Sequence, residues 1–113
     1  MRDIEEPGLD EFISDCVGSL VAWDVIVVLH RNNERRFTVK EIAEILGRPP
    51  AEVAMVVSCL RSRALLSPGS PFTTNALFHA KASIFATALQ DKQERLRILG
   101  DVLARQSGLR LSA

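Results

Sequence analysis

The stretch Thr38 to Leu66, "TVKEIAEILGRPPAEVAMVVSCLRSRALL", constrains the fold most, because three of its residue types mark helix ends. Thr38 followed by Glu41 is a capping box: the hydroxyl accepts from a backbone N–H of the first turn, and the carboxylate reaches back to Thr38. This predicts a helix through Leu46, with Ile42, Ala43, Ile45 and Leu46 apolar. Gly47 supplies a left-handed residue that stops it. Pro50 suits the first turn of a second helix, where its missing N–H costs nothing. Two helices joined by "GRP" make a helix-turn-helix.

Around this pair, helical spacing of Leu9, Phe12, Ile13, Cys16, Val17 and Leu20 predicts an earlier helix, interrupted near Gly18-Ser19. "LVAWDVIVVLHRN" is hydrophobic nearly all round, as a central buried helix is. Leu65-Leu66 fit a short strand, and "SPGSP" (residues 67–71) is a turn. "FTTNALFHA" fits a returning strand, and "RFT" fits an edge strand beside that hairpin. "KASIFATALQDKQERLRILGDVLARQ" reads as one long helix of good formers. The expected organisation is a loose segment 1–8, a folded unit 9–80, a packing or dimerisation helix 81–107 and a tail 108–113.

The order helix, short strand, helix, turn, helix, hairpin, carried by "FTVKEIAEILGRPPAEVAMVVSCLRSRALL", resembles the bacterial winged helix-turn-helix regulators, the MarR-like and related transcription factors. The resemblance covers about residues 20–79. It implies a mainly α fold with a small β-hairpin and a long C-terminal helix. It also implies a dimeric, DNA-binding transcription regulator.

Length and composition are those of a single globular domain: 113 residues, 47% hydrophobic and 25% charged. The longest apolar run, Val25 to Leu29, is far short of the roughly 20 residues of a membrane span. The acidic start lacks a signal-peptide core. We therefore expect a cytoplasmic chain with no membrane contact. The net charge of zero conceals a gradient of −5 over residues 1–15, 0 over 16–60 and +5 over 61–113. A phosphate-binding patch must then draw mainly on the second half.

The second helix of the pair is where such proteins usually touch DNA. With Val53, Val56, Val57 and Leu60 inward, the outward face carries Ala51, Met55, Ser58 and Ser62, flanked by Ala54 and Cys59. It offers no Arg, Lys, Asn or Gln to read a base edge. Lys40, Arg48, Arg61 and Arg63 are candidate phosphate contacts, with Ser58 beside them. Such contacts position a protein without specifying a sequence. The alternative is a protein-interaction module: a small, nearly uncharged face resembles an interface centre, with Ala51 and Met55 as its contacts.

Phe85, Leu89, Lys92, Leu96, Leu99, Leu103 and Gln106 step by alternating fours and threes, a heptad seam with one Lys in it. Phe85, Leu89, Leu96, Leu99 and Leu103 are thus candidate interface residues of a homodimer. Asp91 with Arg95 and Asp101 with Arg105 are expected i,i+4 pairs. Asp24, inside "VAWDVIVV", is expected to be buried and to need a partner such as Arg35 or Arg36, or a backbone group. Cys16 and Cys59 read as reduced, core-packing thiols, and no Cys or His pair has zinc-site spacing. Without a phosphate loop or a nucleophile beside a base, the expectation is no enzyme activity, no metal and no cofactor.

Overall fold

The computed structural model describes residues 8–33 and 35–107. Six helices carry the fold: α1 (Leu9–Cys16), α2 (Leu20–Arg31), α3 (Val39–Leu46), α4 (Pro50–Ser62), α5 (Ala76–Ala88) and α6 (Lys92–Gln106). α2 is the hub, packing against α3, α4, α5 and α6, while α1 closes over α4 and α5. This position explains its all-round hydrophobicity. Val25, Ile26 and Leu29 are all 1% exposed or less. The β-branched "VIVV" is helical here because burial outweighs its modest helix propensity.

The predicted local signals hold at α3 and α4. Thr38 Oγ1 accepts from Glu41 N at 3.1 Å, and Thr38 N donates to Glu41 Oε1 at 3.0 Å. Gly47 is left-handed with φ 66°, and α4 begins at Pro50. Val53, Val56, Val57 and Leu60 are buried, as their spacing predicts. Ser19 caps α2 by accepting from Ala22 N at 3.1 Å, so the chain turns by 118° between α1 and α2. Among the described residues no single helix is long and apolar enough to cross a membrane.

Phe12, Phe37, Phe72, Phe78 and Phe85 are all buried to 2% exposure or less. Burying such a ring stabilises the fold by roughly 1.5–3 kcal/mol. Phe85 meets Phe12 and Trp23 edge-on, at centroid distances of 5.9 and 5.5 Å.

The winged-helix expectation is overturned. The described residues contain no β-strand and no hairpin, only two isolated bridges, Phe37 with Phe72 and Leu66 with Thr74. Toward the turn, the ladder goes no further than the backbone bond from Ser67 N to Thr73 O, 2.8 Å, beside the second bridge. There Ser67 Oγ accepts from Thr73 N at 2.9 Å, and Pro68 and Pro71 have no N–H to donate. Toward the helices, Asn75 Oδ1 accepts from Phe78 N at 2.8 Å and starts α5 at Ala76. Ala64, with φ 61°, turns the chain out of α4. "FTTNALFHA" is therefore half helix rather than a strand, and "RFT" adds one bridge rather than an edge strand.

The long C-terminal helix is also corrected. It divides into α5 and α6 because Asp91 Oδ1 accepts from Gln93 N at 2.9 Å and Glu94 N at 3.1 Å, beginning a new helix. Asp91 thus caps α6 rather than pairing with Arg95. Asp101 and Arg105 do pair, at 3.1 Å. Most of the expected loose lead-in (residues 1–7) and the expected tail (residues 108–113) lie outside the described residues.

Candidate interaction surface

The α3–turn–α4 pair presents a face set by two core anchors. Ile42 on α3 and Val53 on α4 are fully buried, which turns the opposite side of each helix outward. On α4 that side carries Ala51, Ala54, Met55 and Ser58, all exposed. Met55, at 75% exposure, is the most open large apolar side chain among the described residues, and Ile45 on α3 follows with Leu96 at 51% and 55%. The exposed charged side chains nearest to this face in sequence are Glu44 and Glu52, both acidic, with Lys40 at the start of α3 and Arg63, paired with Asp15, just after α4.

The candidate phosphate contacts are dispersed, and most are already engaged. Arg48 Nη2 lies 3.3 Å from Asp24 Oδ2. Asp24 is not buried, as expected from its apolar surroundings, but half-exposed, and its partner is Arg48 rather than Arg35 or Arg36. Arg35 instead lies over the Phe37 ring, 4.5 Å from its centroid. Arg61 Nη2 donates to Gly69 O at 2.7 Å, with its guanidinium 5.6 Å from the Phe72 centroid. This side chain clamps the 67–71 turn onto α4. Arg63 Nη2 reaches Asp15 Oδ1 at 3.6 Å, tying α4 to α1. Lys40 is exposed and has no ion pair among the described residues.

The proposed dimer seam is not one surface. Phe85 belongs to the core at 1% exposure, and Leu89 and Leu99 are half-buried. Only Leu96 and Leu103 stand out, at 55% and 40%, because Ile98 and Val102 are the α6 residues that face the core. Leu20 N donates to Gln106 Oε1 at 2.8 Å, holding the end of α6 against the start of α2.

One feature escaped the sequence reading. His30 and His79 are 49 positions apart in sequence, yet their ring centroids are 5.8 Å apart. His79 Nε2 is 2.6 Å from Thr74 Oγ1, whose hydroxyl also reaches Asn33 O at 3.2 Å. Burial, and then the neighbouring His79, push the His30 pKa down. Cys16 and Cys59 are both free thiols, as the sequence predicts, with Cys16 buried and Cys59 only half-buried. Burial, with added repulsion from Cys59 and Asp15, raises Cys16 to about 11. No group of three or more His, Cys, Asp or Glu among the described residues is placed to hold a metal.

Comparison of the chain with protein-family models, with curated proteins and with solved structures finds no match.

Proposed function

We propose that this protein is a helical interaction module that docks on a protein partner through the outer face of α4, with Met55 at the centre and Ala51, Ala54 and Ser58 around it. The exposure of Met55, on a face without a basic side chain, carries the reading. Interface centres are depleted in charge, and methionine adapts to the partner it meets. The fitting partner offers an apolar groove for Met55 and, at its rim, cations that complement Glu44 and Glu52.

The test compares the wild-type chain with Met55→Glu in affinity capture. A partner retained by the wild type and lost by the variant, with unchanged far-UV circular dichroism, agrees with the proposal. An identical set of captured proteins for both chains contradicts it.

A second reading is phosphate-mediated DNA binding. It is favoured by the exposure of the ion pairs: the side chains of Arg48 and Asp24 are 33% and 42% exposed, and those of Arg63 and Asp15 50% and 46%. Such pairs are worth about 0–1 kcal/mol and exchange readily for phosphate. Affinity for random-sequence duplex DNA that falls steeply between about 50 and 200 mM salt, and is reduced by Arg48→Ala with Arg63→Ala, would establish this reading. No binding at the lower salt would dismiss it.

A further inference from the structure

Between α2, α5 and the turn into α6 lies a cleft of about 530 Å³, within the usual size range of small-molecule sites. Trp23, Phe85 and Leu89 give it apolar walls, and Arg31, Arg95 and His30 also line it. Trp23 and Leu89 are only half-buried, so this apolar surface is open to a ligand. Among the described residues, no Asp or Glu lines it. Two guanidiniums beside an apolar wall, with no carboxylate among the described lining residues, favour a ligand that is apolar at one end and anionic at the other.

The polar groups point the same way. Among the described residues Arg95 makes one hydrogen bond, from Nη1 to Leu89 O, and at 3.5 Å it is weak. Most of its five N–H donors remain available to an anion. Among the described residues, His30 Nδ1 is buried without a hydrogen-bond partner. Burial and the neighbouring His79 lower the His30 pKa and so disfavour its charged form, which makes Arg31 and Arg95 the main cations of the cleft.

We infer that this cleft binds a small amphiphilic carboxylate, its hydrocarbon body against the half-buried Trp23, Val27 and Leu89 and its carboxylate at Arg31 and Arg95. The site is separate from the α4 face and does not depend on the docking proposal.

Trp23 is the single tryptophan of the chain, so its fluorescence reports on the cleft directly. The probes are octanoate, octanol and octylammonium, which share a chain length and differ in the charge of the head. Titrating the full chain with octanoate should shift the Trp23 emission saturably. Octanol should bind about ten-fold more weakly or worse, and octylammonium should give no saturable shift. Arg31→Gln with Arg95→Gln should weaken octanoate by about ten-fold or more and leave octanol unchanged, whereas Lys40→Gln should change neither. Far-UV circular dichroism checks that each variant folds. The inference is overturned if octanoate gives no saturable shift, if all three probes bind alike, or if the folded double variant keeps its octanoate affinity.

Discussion

Arg48 Nη2 meets Asp24 Oδ2 at 3.3 Å, joining the turn after α3 to the middle of α2. The pair explains how an acid is tolerated in the apolar segment "VAWDVIVV" without being buried. It also withholds one of the cations that would otherwise serve phosphate. Because both side chains are partly exposed, the double-mutant cycle of Asp24→Ala and Arg48→Ala should give a coupling of only about 0.2–1 kcal/mol, reduced by salt. Urea unfolding at low and high salt measures it. A coupling of several kcal/mol would mean that the pair is far better desolvated than its exposure indicates.

Phe85 and Leu96 belong to one apparent heptad seam, yet the fold treats them oppositely. Phe85→Ala removes a ring packed on Phe12 and Trp23 and should destabilise the protein by about 3–5 kcal/mol. Leu96→Ala, at an exposed site, should stay within about 0.5 kcal/mol. Thermal unfolding at several protein concentrations compares them. A large, concentration-dependent loss for Leu96→Ala would show that α6 is covered by a second copy.

Asp91 begins α6 by accepting two backbone N–H groups. Asp91→Ala should cost about 1 kcal/mol, as loss of an N-cap does, whereas Asp91→Asn should cost much less. Equal costs would mean that the charge, rather than the cap geometry, sets the break between α5 and α6.

The Cys16 thiol is raised from 9.0 to about 11 by burial, followed by Cys59 and Asp15. Since the folded chain holds this proton more tightly than the unfolded chain, the associated stability is present below about pH 9 and is lost as pH rises toward about 11. The thiolate is the reactive form, so an aromatic disulfide reagent at pH 8 should label the half-buried Cys59 before Cys16. Equal labelling rates in the folded protein would contradict the burial of Cys16.

His30 has the opposite sign of linkage. Its folded pKa lies below the ordinary 6.5, so the fold favours the neutral ring. The stability this supplies is present above pH 6.5 and declines as pH falls through the folded value. His30→Gln should flatten the pH dependence of unfolding between about pH 7.5 and 5.5. An unchanged slope would assign the titration elsewhere.

The residues that act within one turn of the chain were legible from the sequence. Thr38 with Glu41, Gly47 and Pro50 set the ends of α3 and α4 because capping involves groups three or four positions apart. The inward face of α4 followed from helical period alone. Asn75 and Asp91 were harder, since each is compatible with a strand, a turn or a helix interior until its side chain is seen to accept from the backbone ahead. Reading Asn75 as strand extended a single bridge into a hairpin, and reading Asp91 as helix interior fused α5 with α6. The partners of Arg48, Arg61 and Arg63, the meeting of His30 with His79, and the cleft beside Trp23 were decided only by tertiary packing. Each joins groups brought together by how α1, α2, α4, α5 and the 67–71 turn pack, and no periodicity along the chain encodes that approach. The sequence by itself determined where most helices begin and which sides they bury. Only the tertiary structure decided which charges are engaged, which apolar side chains stay open, and where the chain leaves room for another molecule.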